Sequence, residues 1–310
     1  ATIGSAAGCA RLLGLDKSAM GNAISIAVST AAGSKRQFGS MVKPVHAGMA
    51  AKNAVMAACL AAQGIAGNEE PLDGKWGFRE LFAGPDSPGF EAALTALGAP
   101  LAIEEFGLSP KIYPCCASTH RSLDAVLAMR AQNGLSADDV ARITTIVPPI
   151  NFDNLRFSDP HSEMEKRFSM QYCLAIAMTR GAVMLGDFRP GGETPADVAH
   201  FMAKVEMRVH DGPVTQADPA AKEPTIVELH LTSGEKLTSI VESQKGDGSQ
   251  PLSDGDYAAK FLDCAAAAAT KDAAARLHET IMGIDGLDRI GAIMEPLRDL
   301  SAGAREAAAE

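Results

Sequence analysis

Apolar and polar positions first alternate with a helical period. Residues 3–14 are expected to form one helix, interrupted by Gly14-Leu15-Asp16. Asp16 can cap a second helix over 17–32, which Gly33 ends. A polar loop, SKRQFGSMV, follows, and then a third helix runs from Pro44 to Gln63 and stops at Gly64. Pro44 suits a first helical turn, where its missing N–H costs nothing. This third helix is built from small residues, among them Ala47, Gly48, Ala50, Ala54, Ala57 and Ala61, which let neighbouring backbones approach closely. It is therefore expected at the centre of its bundle. Residues 67–90 are rich in loop formers and carry Trp76, and a short helix is expected over 90–97.

The character changes near residue 109. The run SPKIYPCCASTH suggests a short strand, a proline turn and a helix over 117–132. ARITTIVPP reads as a strand, FSMQYCLAIAMTRGAV as a helix over 168–184, and Thr194-Pro195 opens another helix. AKVEMRVHD and TIVELHLTSGEKLTSIVES alternate with period two, with Ser233-Gly234 as a hairpin turn. SQKGDGSQPLSDGD has the composition of an exposed boundary, and helices are expected over 256–268, 270–282 and 287–299. The pattern predicts a mainly α protein. A discontinuous all-helical domain, residues 1–108 and 252–310, carries an inserted α+β domain over 109–251.

Composition narrows the function classes. Net charge is −10 and no basic stripe is visible, which argues against a nucleic-acid partner. An anionic ligand would then need local positive charge, so the few basic clusters carry weight. The six cysteines include one adjacent pair and no CxxC spacing, and they read as reduced thiols of a cytoplasmic protein. No signal peptide and no apolar run long enough to span a membrane is apparent. The chain opens as ATIGSAAGCARLLGLD, with no initiator methionine, as if cut from something longer.

Three helix starts combine basic and polar residues. With Pro44 first in its helix, Lys43 sits at the cap and His46 in the first turn. Free N–H groups and the positive dipole end there favour a carboxylate or phosphate, and the dipole favours a neutral His46 able to accept a proton. A solvated helix end is the alternative. In PKIYPCCASTHRSLDA, Lys111 precedes a turn, Cys116 stands at a helix start where a thiol is activated, and His120 and Asp124 are one turn apart. The alternative is a buried Cys116, a capping Ser118 and a His120–Asp124 bond. In EKRFSMQYC, Tyr172 is either a phenolic acid or a core tyrosine with a satisfied hydroxyl. No Walker A loop, no GxSxG elbow and no metal-like histidine spacing occurs.

Taken together, FGSMVKPVHAGMAAKNAVMAACLAAQG, PKIYPCCASTHRSLDAVLAM and KRFSMQYCLAIAM, with AAGCARLLGLD at the start, resemble the MmgE/PrpD family in order and spacing along essentially the whole chain. The resemblance implies a helical domain, an α+β lid, an active site in the cleft between them, a homodimer and no required cofactor. Members act on small polycarboxylates, as 2-methylcitrate dehydratase, cis-aconitate decarboxylase and iminodisuccinate epimerase. The lead expectation is a dehydratase-like hydro-lyase, with epimerase-like, decarboxylase-like or non-catalytic readings behind it. The motifs carry over Lys43, His46, Lys111, Cys116 and Tyr172 as cleft residues, and His120 as a further substrate-side candidate. Lys43 and Lys111 would clamp carboxylates, His46 would move a proton and Tyr172 would donate one. Two positions depart from the named branches. The decarboxylase branch carries a histidine at the Cys116 position, and the dehydratase branch a KGWAAG-like run where this chain has KPVHAG. Family members also carry helices ahead of this start, so an N-terminal segment or further subunit is expected to complete the site.

Overall fold

The computed structural model describes residues 1–294 except 85, 96, 106, 211–222 and 290. It divides into two compact units, Ala1–Gly107 and Leu108–Glu310. Helix dominates, with one small mixed sheet.

In the first unit, α1 (Thr2–Leu12), α2 (Lys17–Thr30) and α3 (Val42–Ala62) pack on one another. Asp16 caps α2 as its position predicts, its carboxylate accepting from the Ala19 N–H at 2.8 Å. The three helices meet through alanine. Ala6, Ala27, Ala54 and Ala57 form one buried cluster, and Ala10, Ala23, Ala58 and Ala61 a second. Side chains of one methyl bring helix backbones close, which is why α3 lies at the centre. Asn53 adds a tie, donating to the Thr30 carbonyl at 3.1 Å.

By length and composition α3 is also apolar enough to cross a membrane, with a mean hydropathy of 1.2 over its window. The expectation that no such run exists is thus corrected. Alanine-rich packing helices meet the same measure, and Lys43, His46, Lys52 and Asn53 interrupt this one. Beyond it lie three short helices, α4 (Phe78–Ala83), α5 (Glu91–Thr95) and α6 (Ala102–Glu105).

The second unit opens differently from expectation. Residues 108–116 form no strand, and 112–115 are bends. Pro110 and Pro114 offer no N–H to a ladder, and the carbonyls of Pro114 and Cys115 are taken by cationic side chains. Then follow α7 (His120–Asn133), β1 (Val140–Val147), α8 (Pro149–Asn154), α9 (Glu163–Lys166), α10 (Met170–Arg180), α11 (Ala196–Met202) and β2 (Val205–Val209). The hairpin β3 (Thr225–Leu231) and β4 (Lys236–Val241) turns through Ser233-Gly234 as expected, with Gly234 at φ +91°. The sheet order is β2-β1-β3-β4. β1 runs parallel to β2 and antiparallel to β3, so α8–α11 form the crossover a parallel pair requires.

α7 packs on β3 and β4, and α10 packs on α7, α11 and β2. Helix α10 is the core of this unit, with Met170 and every residue from Tyr172 to Met178 buried. Gly181 stops it in the left-handed conformation, φ +75°. The segment expected as an exposed boundary is exposed over 248–251 and 253–255 and also makes buried contacts. Gly246 is buried, and a side chain there would meet the Pro110 carbonyl at 2.4 Å. The helices α12 (Asp254–Ala265) and α13 (Lys271–Met282) follow, and Asp263 of α12 accepts from the Leu185 N–H at 2.9 Å. The helix expected over 287–299 falls in part outside the described residues.

Candidate functional site

The first-unit candidates gather at the start of α3. The helix begins at Val42, with Met41 before it, so Pro44 is its third residue rather than its first. Proline fits there for the same reason, since the first four N–H groups lack helical partners. Lys43 is therefore inside the first turn, its own N–H bonded to the Ser40 carbonyl at 3.2 Å. Its ammonium and that of Lys35 each lie 5.8 Å from the centre of the Phe38 ring, so an aromatic face holds two cations near the helix mouth. His46 lies one turn further in. Its ring packs against Gly33, where a methyl group would come within 3.4 Å of Nδ1. Gly33 has φ +141°, so glycine serves both the backbone and the imidazole. His46 borders two adjoining open cavities of about 320 and 400 Å³. Thr30, Gln37 and Asn53 supply polar groups to the first.

The second-unit candidates share one folded segment. The Lys111 ammonium is exposed and donates to the Cys115 carbonyl at 3.3 Å. Arg167 donates to the Pro114 carbonyl at 2.7 Å, and the Cys116 N–H returns a bond to the Arg167 carbonyl at 2.9 Å. The 110–116 segment is thus strapped to the start of α10. Cys116 is at the border of burial, and the Cys115 side chain points inward to Thr119 Oγ1 at 3.1 Å.

His120 is fully enclosed, with a relative exposure of 0%. Tyr113 packs edge-on against its ring at 5.1 Å. Asp124 is engaged elsewhere, accepting from the Tyr113 hydroxyl at 2.7 Å and from the Lys245 N–H at 2.8 Å. The His120–Asp124 bond of the alternative reading is therefore replaced by a Tyr113–Asp124 bond. Burial, with the Asp124 charge behind it, raises the Tyr113 phenol far above its ordinary value.

Tyr172 is buried, and its hydroxyl donates to the Asp187 carbonyl at 2.5 Å. Burial lifts its pKa to about 12. Its N–H is capped by Ser169 at 3.1 Å, and the Lys166 ammonium stands 5.2 Å from its ring centre. Lys166 is itself buried, donates to the Gly192 carbonyl at 2.7 Å, and is held below the ordinary lysine value by burial. Among the described residues no group of three His, Cys, Asp or Glu side chains could hold a metal ion.

Sequence reasoning singled out neither Tyr113 nor the Cys115–Cys173 pair. Burial raises the Cys173 thiol, and the adjacent Cys115 sulfur adds to that. Burial pushes Cys115 the same way. The Cys173 thiol, the His120 ring and the Thr119 hydroxyl outweigh it and hold Cys115 well below the ordinary thiol value.

The two units match separate family models in chain order, the MmgE/PrpD N-terminal domain over residues 1–91 and the MmgE/PrpD C-terminal domain over 113–285. The chain belongs to the MmgE/PrpD family. Curated relatives of this MmgE/PrpD chain include cis-aconitate decarboxylase of Homo sapiens, 27% identical over 292 residues. That alignment covers 93% of this chain and 59% of the human protein. Cis-aconitate decarboxylase of Mus musculus is 27% identical, covering 93% and 58%, and that of Aspergillus terreus is 23% identical, covering 93% and 61%. The chain thus spans about three-fifths of the length of these relatives. The candidate residues fall in both matched stretches, Lys43 and His46 in the first, and Cys116, His120 and Tyr172 in the second. Lys111 lies two residues ahead of the second.

Proposed function

We propose that this MmgE/PrpD chain is a cofactor-independent lyase of a small polycarboxylate, working by proton transfer next to a carboxylate. The observation that carries the reading is the match along 93% of the chain to proteins named as decarboxylases. The relatives' name favours decarboxylation over the dehydration first expected from sequence. Breaking a bond beside a carboxylate, whether C–C or C–H, loads negative charge on the adjacent carbon and carboxylate. Fixed cations stabilise that charge more than they stabilise the substrate. Lys43 and Lys111 are the accessible ammonium groups for this role. His46, bordering cavities of substrate size, is the group to move the proton. Tyr172 already spends its proton on Asp187 and serves the reading as support for the strap rather than as an acid. A cytoplasmic homodimer is part of the same proposal.

The test is an NMR assay of cis-aconitate, 2-methylcitrate and iminodisuccinate with purified protein. Loss of carbon dioxide, loss of water and inversion have distinct products, so each reaction type is read separately. Lys43→Ala is expected to lower kcat/KM by about 10²-fold or more. Stability should barely change, because among the described residues the ammonium's contact is the Phe38 ring at 5.8 Å. Full activity after that substitution would remove Lys43 from the mechanism. Turnover of none of the three acids, with no thermal shift from any, would overturn the lyase reading.

A further inference from the structure

The proposed chemistry uses Lys43 and His46 and leaves the segment ahead of them idle. That segment carries concentrated positive charge. Between Asp16 and Glu69 the sequence has no carboxylate side chain, against the five cations Lys17, Lys35, Arg36, Lys43 and Lys52. In a chain of net charge −10, so long a run of one sign sets up a local field for anions.

Tight turns build the middle of this run. The Phe38 N–H donates to the Lys35 carbonyl at 3.2 Å, the Ser40 N–H to the Gln37 carbonyl at 3.1 Å, and the Lys43 N–H to the Ser40 carbonyl at 3.2 Å. Each bond spans three residues, so the chain from 35 to 43 is drawn in and both lysines reach one ring. Their ammonium groups each lie 5.8 Å from the centre of Phe38, and so are no further apart than twice that distance. Among the described residues neither meets a carboxylate. Like charges gathered in this way repel, and an anion that meets both relieves the repulsion. The neighbouring residues border open space. Ser34 and Gln37, which precede and follow Lys35, line the cavity of about 320 Å³ that His46 also lines. The Ser40 hydroxyl donates to the Gln37 side-chain oxygen at 3.0 Å, which leaves the Gln37 amide NH2 as a neutral donor for a ligand.

We propose that Lys35 and Lys43 bind two different carboxylates of one substrate, with Phe38 positioning the two ammonium groups. The inference rests on the polycarboxylate reading above and adds how the chain distinguishes such an acid from a monocarboxylate. Lys43 takes the carboxylate beside the reacting carbon and Lys35 a remote one. An acid with a single carboxylate neutralises one ammonium and leaves the other, so the preference follows from the count of charges. The remote contact is the same in the bound substrate and the transition state, and it therefore acts on KM rather than on kcat.

The test is an NMR titration of the full chain at about pH 7.5, where carboxylates are ionised, with propane-1,2,3-tricarboxylate and with butanoate. Wild type is expected to bind the triacid more tightly. Lys35→Gln should weaken the triacid about fivefold and leave butanoate unchanged, whereas Lys43→Gln should weaken both. Phe38→Leu should weaken the triacid selectively, and Phe38→Tyr, which keeps the ring face, should bind as wild type does. Lys17→Gln is the control for the field, because Lys17 opens α2 and it is the other end of that helix that borders the cavity. Equal losses in Lys17→Gln and Lys35→Gln would mean a general attraction and overturn the proposal. Wild-type affinity for the triacid in Lys35→Gln would overturn it too, with the polycarboxylate reading left standing. Wild-type protein that binds neither the triacid nor any acid of the turnover assay would remove that reading as well.

Discussion

Tyr113 shows how much a single side chain settles in this protein. Its ring covers His120 and its hydroxyl occupies Asp124, which also holds the Lys245 N–H. One phenol therefore joins the bend that carries Lys111, the first turns of α7 and the segment before α12. Tyr113→Phe keeps the ring and removes the donor, leaving a part-buried carboxylate oxygen unpaired. The expected loss is about 1–3 kcal/mol in urea unfolding. A loss below about 0.5 kcal/mol would mean that Asp124 is satisfied without the phenol. At this scale the sequence was only partly legible. His120 and Asp124 stand one turn apart and share a helix face, which made them natural partners. A residue eleven positions away took the carboxylate instead, and no local spacing rule reports such a contact.

At the scale of elements, local chemistry was a better guide. The Asp16 cap and the Ser233-Gly234 hairpin follow from short-range preferences, and the structure has both, whereas the helix expected over 168–184 stops earlier, at Gly181. The alanine face of α3 was equally readable, because small residues at helical spacing have few uses other than close packing. The strand expected near residue 109 failed for a local and a non-local reason. Pro110 and Pro114 lack the N–H groups a ladder needs, and Arg167, far along the chain between α9 and α10, takes the Pro114 carbonyl. The α3 reading gives a sharp expectation. Ala57 is wholly buried against Ala6, Ala27 and Ala54, so Ala57→Leu overfills the helix contact and should cost about 1–3 kcal/mol. Ala51→Leu, on the exposed side of the same helix, should stay within about 0.5 kcal/mol of wild type. Equal effects of the two, measured by thermal unfolding, would mean that the alanine face does not hold the bundle.

For the whole molecule, the two units differ in what holds them. The first is closed by alanine methyl groups, while larger residues such as Leu12, Met41, Val45 and Val55 stay exposed. The second buries Leu123, Ile143, Leu174, Phe188 and Leu229 between helices and sheet. A buried methyl contributes about 0.8 kcal/mol and a buried Leu, Ile or Phe about 1.5–3, so the second unit has much the larger hydrophobic reserve. Helical and strand segments could be read from periodicity, but this imbalance could not. It depends on which face of each helix finds a partner. The second unit should therefore fold by itself and the first should not. Expressed separately, residues 108–310 are expected to unfold in a single cooperative thermal transition. Residues 1–107 should show weak helical circular dichroism and no sharp transition. A cooperative first unit would mean that close backbone packing among alanines supplies more stability than buried area predicts. Lys111, Cys116 and Tyr172 should keep their hydrogen bonds in the isolated second unit, because every bond described for them is made within it.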